Sequence, residues 1–205
     1  MNARILLVED HDLVRYGTNQ VLKSAGWQVV GETGDGTEAV AMARSLHPDL
    51  ILLDLVLRGT HGLTVLKEVK RLTPWVKVMV VTGHDIPHLA QAAWESGADG
   101  YALKDLPWEM FEEGMRSVLA GRRWAQASVQ EHLRTPARPL TEALTRRECE
   151  VLGAMAEGLT NSQIASRLNI REGTVEYHAG NILGKLGAIN RTEALKVARE
   201  KGLLG

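Results

Sequence analysis

Five residues of this sequence carry the groups from which phosphoryl chemistry can be built: Glu9, Asp10, Asp54, Thr82 and Lys104. Each closes or directly follows a short apolar run, at residues 4–9, 50–54, 76–82 and 100–103. Three carboxylates brought to one edge repel one another unless a cation neutralises them, and an all-oxygen site that keeps waters suits Mg²⁺. A carboxylate beside such an ion can accept a phosphoryl group, because the metal offsets charge on the transferring oxygens. Lys104 supplies a second positive charge, and the Thr82 hydroxyl supplies a donor for a phosphoryl oxygen. The competing reading makes strand-end acids helix caps. It suits Asp12, but it does not account for five such groups at the ends of four runs. Of the seven histidines, none has metal-ligand spacing with another or with Cys149, and His11 and His61 read as residues of solvated loops.

These side chains need a scaffold. Apolar runs at 4–9, 28–33, 50–54, 76–82 and 100–103 alternate with helical spacing at 13–25, 37–45, 63–72, 87–95 and 107–120. Five successive β-α units imply an α/β domain over residues 1–122, with a five-stranded parallel sheet covered by helices on both faces. Continuous runs such as Ile5-Leu6-Leu7-Val8 and Val78-Met79-Val80-Val81 suit strands buried on both sides. In such sheets function gathers at the carboxyl ends of the strands, where the five residues fall.

Residues 123–140 change character and end in Thr135-Pro136-Ala137-Arg138-Pro139, which predicts a short helix, then a linker and a boundary near Leu140. Residues 141–205 show no strand pattern, only four helical segments at 144–158, 160–168, 171–186 and 190–201. Thr145/Glu148 and Thr160/Gln163 match the capping-box pattern and open the first two. The middle pair has helix-turn-helix spacing, in which the second helix lies in the DNA major groove. In 171–186, Val175, Ala179, Ile182, Leu183 and Leu186 form an inward stripe. Gly173, Tyr177, Gly180, Asn181 and Gly184 lie opposite, with Glu176 on their flank.

The 205 residues fit one or two domains, and 44% apolar composition is enough for ordinary cores. No apolar run approaches the roughly 20 residues of a membrane span, and the start Met-Asn-Ala-Arg lacks a signal-peptide layout. A single cysteine, Cys149, excludes an internal disulfide framework and suits a reducing cytosol. A cytoplasmic protein is expected. The net charge of −1, with 9 basic and 8 acidic residues from Thr141 onward, does not advertise nucleic acid.

The stretches Ile5-Leu6-Leu7-Val8-Glu9-Asp10-His11, Pro48-Asp49-Leu50-Ile51-Leu52-Leu53-Asp54, Val80-Val81-Thr82 and Gly97–Asp105 resemble the receiver domain of two-component response regulators. Leu144–Glu148, Glu157–Asn161, Glu172–Val175, Asn181–Leu186 and Asn190–Ala194 resemble the LuxR-type helix-turn-helix. Together they match the NarL/FixJ subfamily end to end. The resemblance implies a flavodoxin-like (βα)5 receiver followed by an all-α four-helix DNA-binding domain. It implies that Asp54 accepts phosphate from a sensor histidine kinase and that Asp10 ligates Mg²⁺ directly. Glu9 would act largely through water, with the backbone carbonyl of Val56 completing the ligands. Thr82 and Tyr101 would be the switch pair, the ring turning inward behind the hydroxyl, and Lys104 would contact the phosphate. In the second domain, Glu176, Tyr177 and Gly180 would face bases, while Thr160, Lys185, Asn190 and Arg191 would contact phosphates. The expected regulator binds double-stranded DNA as a homodimer after phosphorylation.

Several positions depart from the family pattern. Arg58 replaces the usual proline four residues past the acceptor. Val56 and His84 flank the path of an attacking water and should slow hydrolysis of the phosphoryl group. Glu176 stands where a basic residue is common, and Gly180 where a polar or basic one is. Phosphate neutralisation dominates DNA affinity, so binding by a single copy should be weak. An alternative is therefore a receiver-controlled protein-interaction module. A Mg²⁺-dependent phosphatase on a similar sheet is excluded, because such an enzyme needs an acid where Val56 stands.

Overall fold

The computed structural model describes residues 3–57, 62–83, 85–134, 144–186, 188 and 190–204. The apolar runs become strands β1 (Arg4–Val8), β2 (Gln28–Thr33), β3 (Leu50–Leu53), β4 (Lys77–Thr82) and β5 (Gly100–Leu103). Between and after them run α1 (Asp12–Ser24), α2 (Gly36–Leu46), α3 (Gly62–Leu72), α4 (Pro87–Glu95) and α5 (Trp108–Leu119). The strands pair in parallel, in the order β2-β1-β3-β4-β5, with a sixth strand beyond β5. The chain winds one way from β1 to β2 and the other way from β3 onward, so the order reverses between β1 and β3. Crevices at such reversals are where open parallel sheets bind ligands. Burial of Ile5, Leu7, Leu50, Leu52 and Met79 holds the sheet's interior, and every residue of β3 and β5 is buried.

The sheet has six strands, not five. Trp124–Ala125 form β6, parallel to β5 with Trp124 opposite Gly100 and Ala125 opposite Tyr101. The helix expected after residue 123 is present as α6 (Ala127–Arg134). β6 is anchored by Gln126, whose amide donates to the Tyr101 carbonyl (3.1 Å) and whose side-chain oxygen accepts from the Leu103 amide (2.7 Å). Val129 of α6 is fully buried. The proline-bearing stretch 135–140, the Leu140 boundary, Arg58, His61 and His84 lie outside the described residues.

The second unit holds α7 (Arg146–Ala156), α8 (Asn161–Leu168), α9 (Glu172–Leu186) and α10 (Arg191–Glu200). Both expected capping boxes form: Thr145 with Glu148, and Thr160 with Gln163. Asn169 closes α8 in the left-handed region (φ 51°), which Asn tolerates better than most residues. Val151, Leu152, Ile164, Val175, Ile182 and Leu186 are buried in one core, so the inward stripe of α9 packs as its periodicity predicts.

The grip of Gln126 on the edge of β5 is testable. Replacement Gln126→Leu leaves the Leu103 amide buried without its acceptor, which costs about 1–3 kcal/mol. Denaturant unfolding of the receiver should register that loss; an unchanged midpoint would mean that β6 is not held as described.

Candidate functional site

Where β1 and β3 end side by side, the chain delivers three acids to one place. Glu9 and Asp10 follow Val8, and Asp54 follows Leu53, with the Asp54 amide donating to the Val8 carbonyl at 3.0 Å. All three are buried, Asp54 to 3% exposure. The end of β4 brings in buried Thr82, and the Lys104 amide donates to the Thr82 carbonyl at 2.8 Å. Lys104 then reaches across the strand ends: its Nζ lies 2.6 Å from Asp54 Oδ2 and 2.5 Å from Glu9 Oε2. The Val56 amide donates to Asp54 Oδ1 at 3.0 Å. Gly62, at the start of α3, lies so close that an added Cβ would stand 2.2 Å from the Asp54 carbonyl oxygen. No other residue fits there without moving the backbone that carries the acid. The structure thus brings together the side chains of Glu9, Asp10, Asp54 and Lys104, with buried Thr82 at the adjoining strand end.

Burial pushes the Asp54 carboxyl above its ordinary pKa, and Lys104, followed by the Val56 amide, pulls back without cancelling the rise. Burial acts to lower Lys104, but Asp54 and then Glu9 outweigh it and hold the ammonium above its ordinary value. Three carboxylates against one ammonium leave a formal excess of two negative charges. That excess and the oxygen donors fit one divalent cation, and ligand atoms of Glu9, Asp10, His11 and Asp54 lie within 4.8 Å of one another. Tyr101 is buried, and its hydroxyl has no hydrogen-bond partner among the described residues. Burial first, then the charges of Asp85 and Asp54, raise its pKa.

Two placements differ from the sequence reading. Asp12 is not the cap of α1: His11 occupies that position, and Asp12 pairs with Arg15 at 2.6 Å. His11 is solvent-facing, as expected of a loop residue, yet its Nδ1 lies 2.9 Å from Asp10 Oδ1 and 3.1 Å from Glu9 Oε1. Its position directly after two strand-end acids was the available signal.

In the helical unit, Glu176, Tyr177 and Gly180 lie along α9, with Tyr177 half exposed; Gly180, expected on the outward face, is instead buried, and an added Cβ there would stand 2.8 Å from Ile86 Cδ1. The residues expected to meet DNA phosphates all have work inside the domain. Thr160 and Asn190 cap α8 and α10 through their side chains. Arg191 donates to the carbonyls of Met155 (2.8 Å) and Leu159 (2.7 Å) just past the last turn of α7. Lys185 Nζ sits 2.7 Å from Oε2 of buried Glu148, whose side chain also belongs to the Thr145 capping box. Among the described residues no helix is long and apolar enough to cross a membrane.

Residues 5–114 match the response regulator receiver domain family, and residues 142–198 match the luxR family of bacterial regulatory proteins. The nitrate/nitrite response regulator protein NarP of Escherichia coli is 38% identical over 93% of this chain and 92% of its own length. The response regulator protein VraR of Staphylococcus aureus is 34% identical over the whole of both chains. This chain belongs to the NarL/FixJ subfamily of two-component response regulators. Among solved structures, the response regulator ChrA of a heme-sensing two-component system aligns over 99% of this chain at 33% identity (TM-score 0.57). RcsB of Salmonella enterica serovar Typhimurium, bound to the promoter P1flhDC in the presence of the phosphomimetic BeF3⁻, aligns over 96% at 26% identity (TM-score 0.63). Like the rest of its subfamily, this response regulator is a phosphorylation-dependent regulator of transcription, with a receiver and a LuxR-type DNA-binding domain.

The Glu148–Lys185 pair has a pH signature. Burial acts to raise the Glu148 pKa, but the Lys185 ammonium and the Thr145 amide bring it below the ordinary glutamate value. Its stabilisation is therefore present above the unfolded pKa of about 4.3 and is lost as pH falls through the lower folded value. Glu148→Gln should lower the stability of the helical domain by about 1–3 kcal/mol at neutral pH. The deficit should vanish under acid conditions in chemical unfolding. A gap that stayed constant into acid would contradict an ionic role for Glu148.

Proposed function

We propose that Asp54 accepts a phosphoryl group from a sensor histidine kinase in the cytoplasm, and that the phosphorylated chain dimerises on double-stranded DNA. The observation that carries this reading is the buried Asp54 carboxylate gripped by Lys104 beside Glu9 and Asp10, at the reversal point of the sheet. Asp10 and Asp54 would hold Mg²⁺ directly, with Glu9 through water and the Val56 carbonyl. Bound there, the ion would offset charge on the transferring oxygens. Lys104 keeps one Asp54 oxygen engaged and the Val56 amide the other, so the carboxylate is oriented before a donor arrives. Thr82 would donate its hydroxyl to the phosphoryl group, and Lys104 would move from the carboxylate to a phosphoryl oxygen. Val56 and His84, two residues past Asp54 and Thr82 in the sequence, would prolong the phosphorylated state.

Phosphorylation would act by population shift, favouring conformers in which Thr82 and Tyr101 are drawn toward Asp54. β6 is hydrogen-bonded along β5 from Gly100 to Leu103, so the segment leaving the receiver shares backbone bonds with the switch residue. The solved complex of RcsB with promoter DNA in the presence of a phosphomimetic supports DNA binding in the phosphorylated state. On the DNA side, Glu176, Tyr177 and Gly180 would meet bases. Thr160, Lys185, Asn190 and Arg191 would approach phosphates while keeping their internal bonds.

Those internal bonds favour a second reading, in which the helical domain controls a protein partner and binds DNA weakly. A gel shift across a salt series separates the two. On the regulator's own promoter DNA, the acetyl-phosphate-treated protein should bind at least about tenfold tighter than untreated protein, a difference of about 1.4 kcal/mol. Asp54→Asn should abolish that difference. Glu176→Lys should tighten binding to random DNA and steepen the log–log salt slope by about one. Weaker binding of that variant on every sequence would overturn the groove-facing placement of α9, and salt-independent or undetectable binding would favour the protein-partner reading.

A further inference from the structure

Resting on the reading of this pocket as a divalent-cation site, we infer that His11 is a nitrogen ligand of the ion, and that the receiver prefers Mn²⁺ and later first-row metals to Mg²⁺. The imidazole Nδ1 stands 2.9 Å from Asp10 Oδ1 and 3.1 Å from Glu9 Oε1, on the donor atoms a cation would share. Together with Asp54, these groups can bring one ligand atom each within 4.8 Å of all the others.

The ring's polar contacts are those of Nδ1 with the Glu9 and Asp10 carboxylates, which an ion bound between these groups would replace. His11 occupies the N-cap position of α1 in extended conformation (φ −85°, ψ 106°), yet its side chain makes no capping hydrogen bond. Its side chain is 59% exposed, so it can turn a ring nitrogen toward an ion without breaking a packed core. Lys104 engages Glu9 through Oε2, while His11 faces Oε1 of the same carboxylate. The ammonium and the imidazole therefore occupy different sides of Glu9, and an ion bound beside His11 does not need the space Lys104 fills.

The consequence follows from ligand chemistry. Mg²⁺ favours hard oxygen donors and keeps its waters, whereas imidazole suits Zn²⁺, Fe²⁺ and Cu²⁺, and affinity for mixed nitrogen and oxygen sites rises from Mn²⁺ through the first-row series. A set of three carboxylates with one imidazole is a mixed site of that kind. In a cell, the fraction of receivers ready for phosphorylation would then follow the supply of such metals as well as that of Mg²⁺.

Pulsed electron paramagnetic resonance of Mn²⁺ added to the metal-free full-length protein tests this directly. Native protein should show ¹⁴N modulation from a coordinated imidazole, and His11→Gln and His11→Asp should both lose it. His11→Asp, which restores an oxygen donor, should still bind Mn²⁺, and its preference for Mn²⁺ over Mg²⁺ in competition titration should fall by about tenfold or more. Mn²⁺ bound at the site, displaced by Mg²⁺ and lost in Asp54→Asn, but without nitrogen modulation, would overturn the role of His11 and leave the cation site standing. Mn²⁺ binding unaffected by Asp54→Asn would overturn both.

Discussion

The structure turns on buried negative charge that its own cation does not balance. Glu9, Asp10 and Asp54 are packed at the junction of β1 and β3, and Lys104 is the one ammonium within reach among the described residues. Burial outweighs Lys104 at Asp54, so the acceptor carboxyl sits above its ordinary pKa. A receiver in this state carries an electrostatic cost that a divalent ion would relieve, and stability spent in this way commonly marks a working site. The sheet order places the acids at its reversal point, and Gly62 gives α3 room to press against the acceptor's backbone.

The helical domain solves a different problem. It is a small helical unit, and its charged residues double as fasteners. Glu148 closes the capping box of α7 and receives Lys185 from α9, while Arg191 ties the start of α10 to the end of α7. Fewer cations are therefore left to meet a DNA backbone than a count of Lys and Arg would suggest.

Much of this architecture was legible in the sequence, for reasons that can be named. β1, β3, β4 and β5 declare themselves through apolar runs suited to strands buried on both faces, whereas β2, at the sheet edge, is only part-buried; all five begin and end within about a residue of the expected limits. Three of the C-terminal helices, α7, α8 and α10, announce themselves through Thr145, Thr160 and Asn190, whose side chains can serve as caps wherever a helix begins. β6 escaped because two residues are too few to show alternation; its existence depends on the long-range bond from Leu103 to Gln126. His11 shows no metal-ligand spacing with another histidine or with Cys149, because the neighbours of its imidazole are the two acids that precede it. The partners of Lys185 and Arg191 were hidden for a third reason: sequence shows a charge but not what lies 36 or 37 positions away to meet it.

The most direct measurement is peptide mapping by mass spectrometry after incubating the native chain with acetyl phosphate, with and without Mg²⁺. The expected result is one acid-stable, base-labile phosphoryl adduct on the peptide containing Asp54, formed when Mg²⁺ is supplied and absent when it is chelated. An adduct located elsewhere, or one that forms on Asp54 equally well under chelation, would contradict a site in which buried acids await a cation before accepting phosphate.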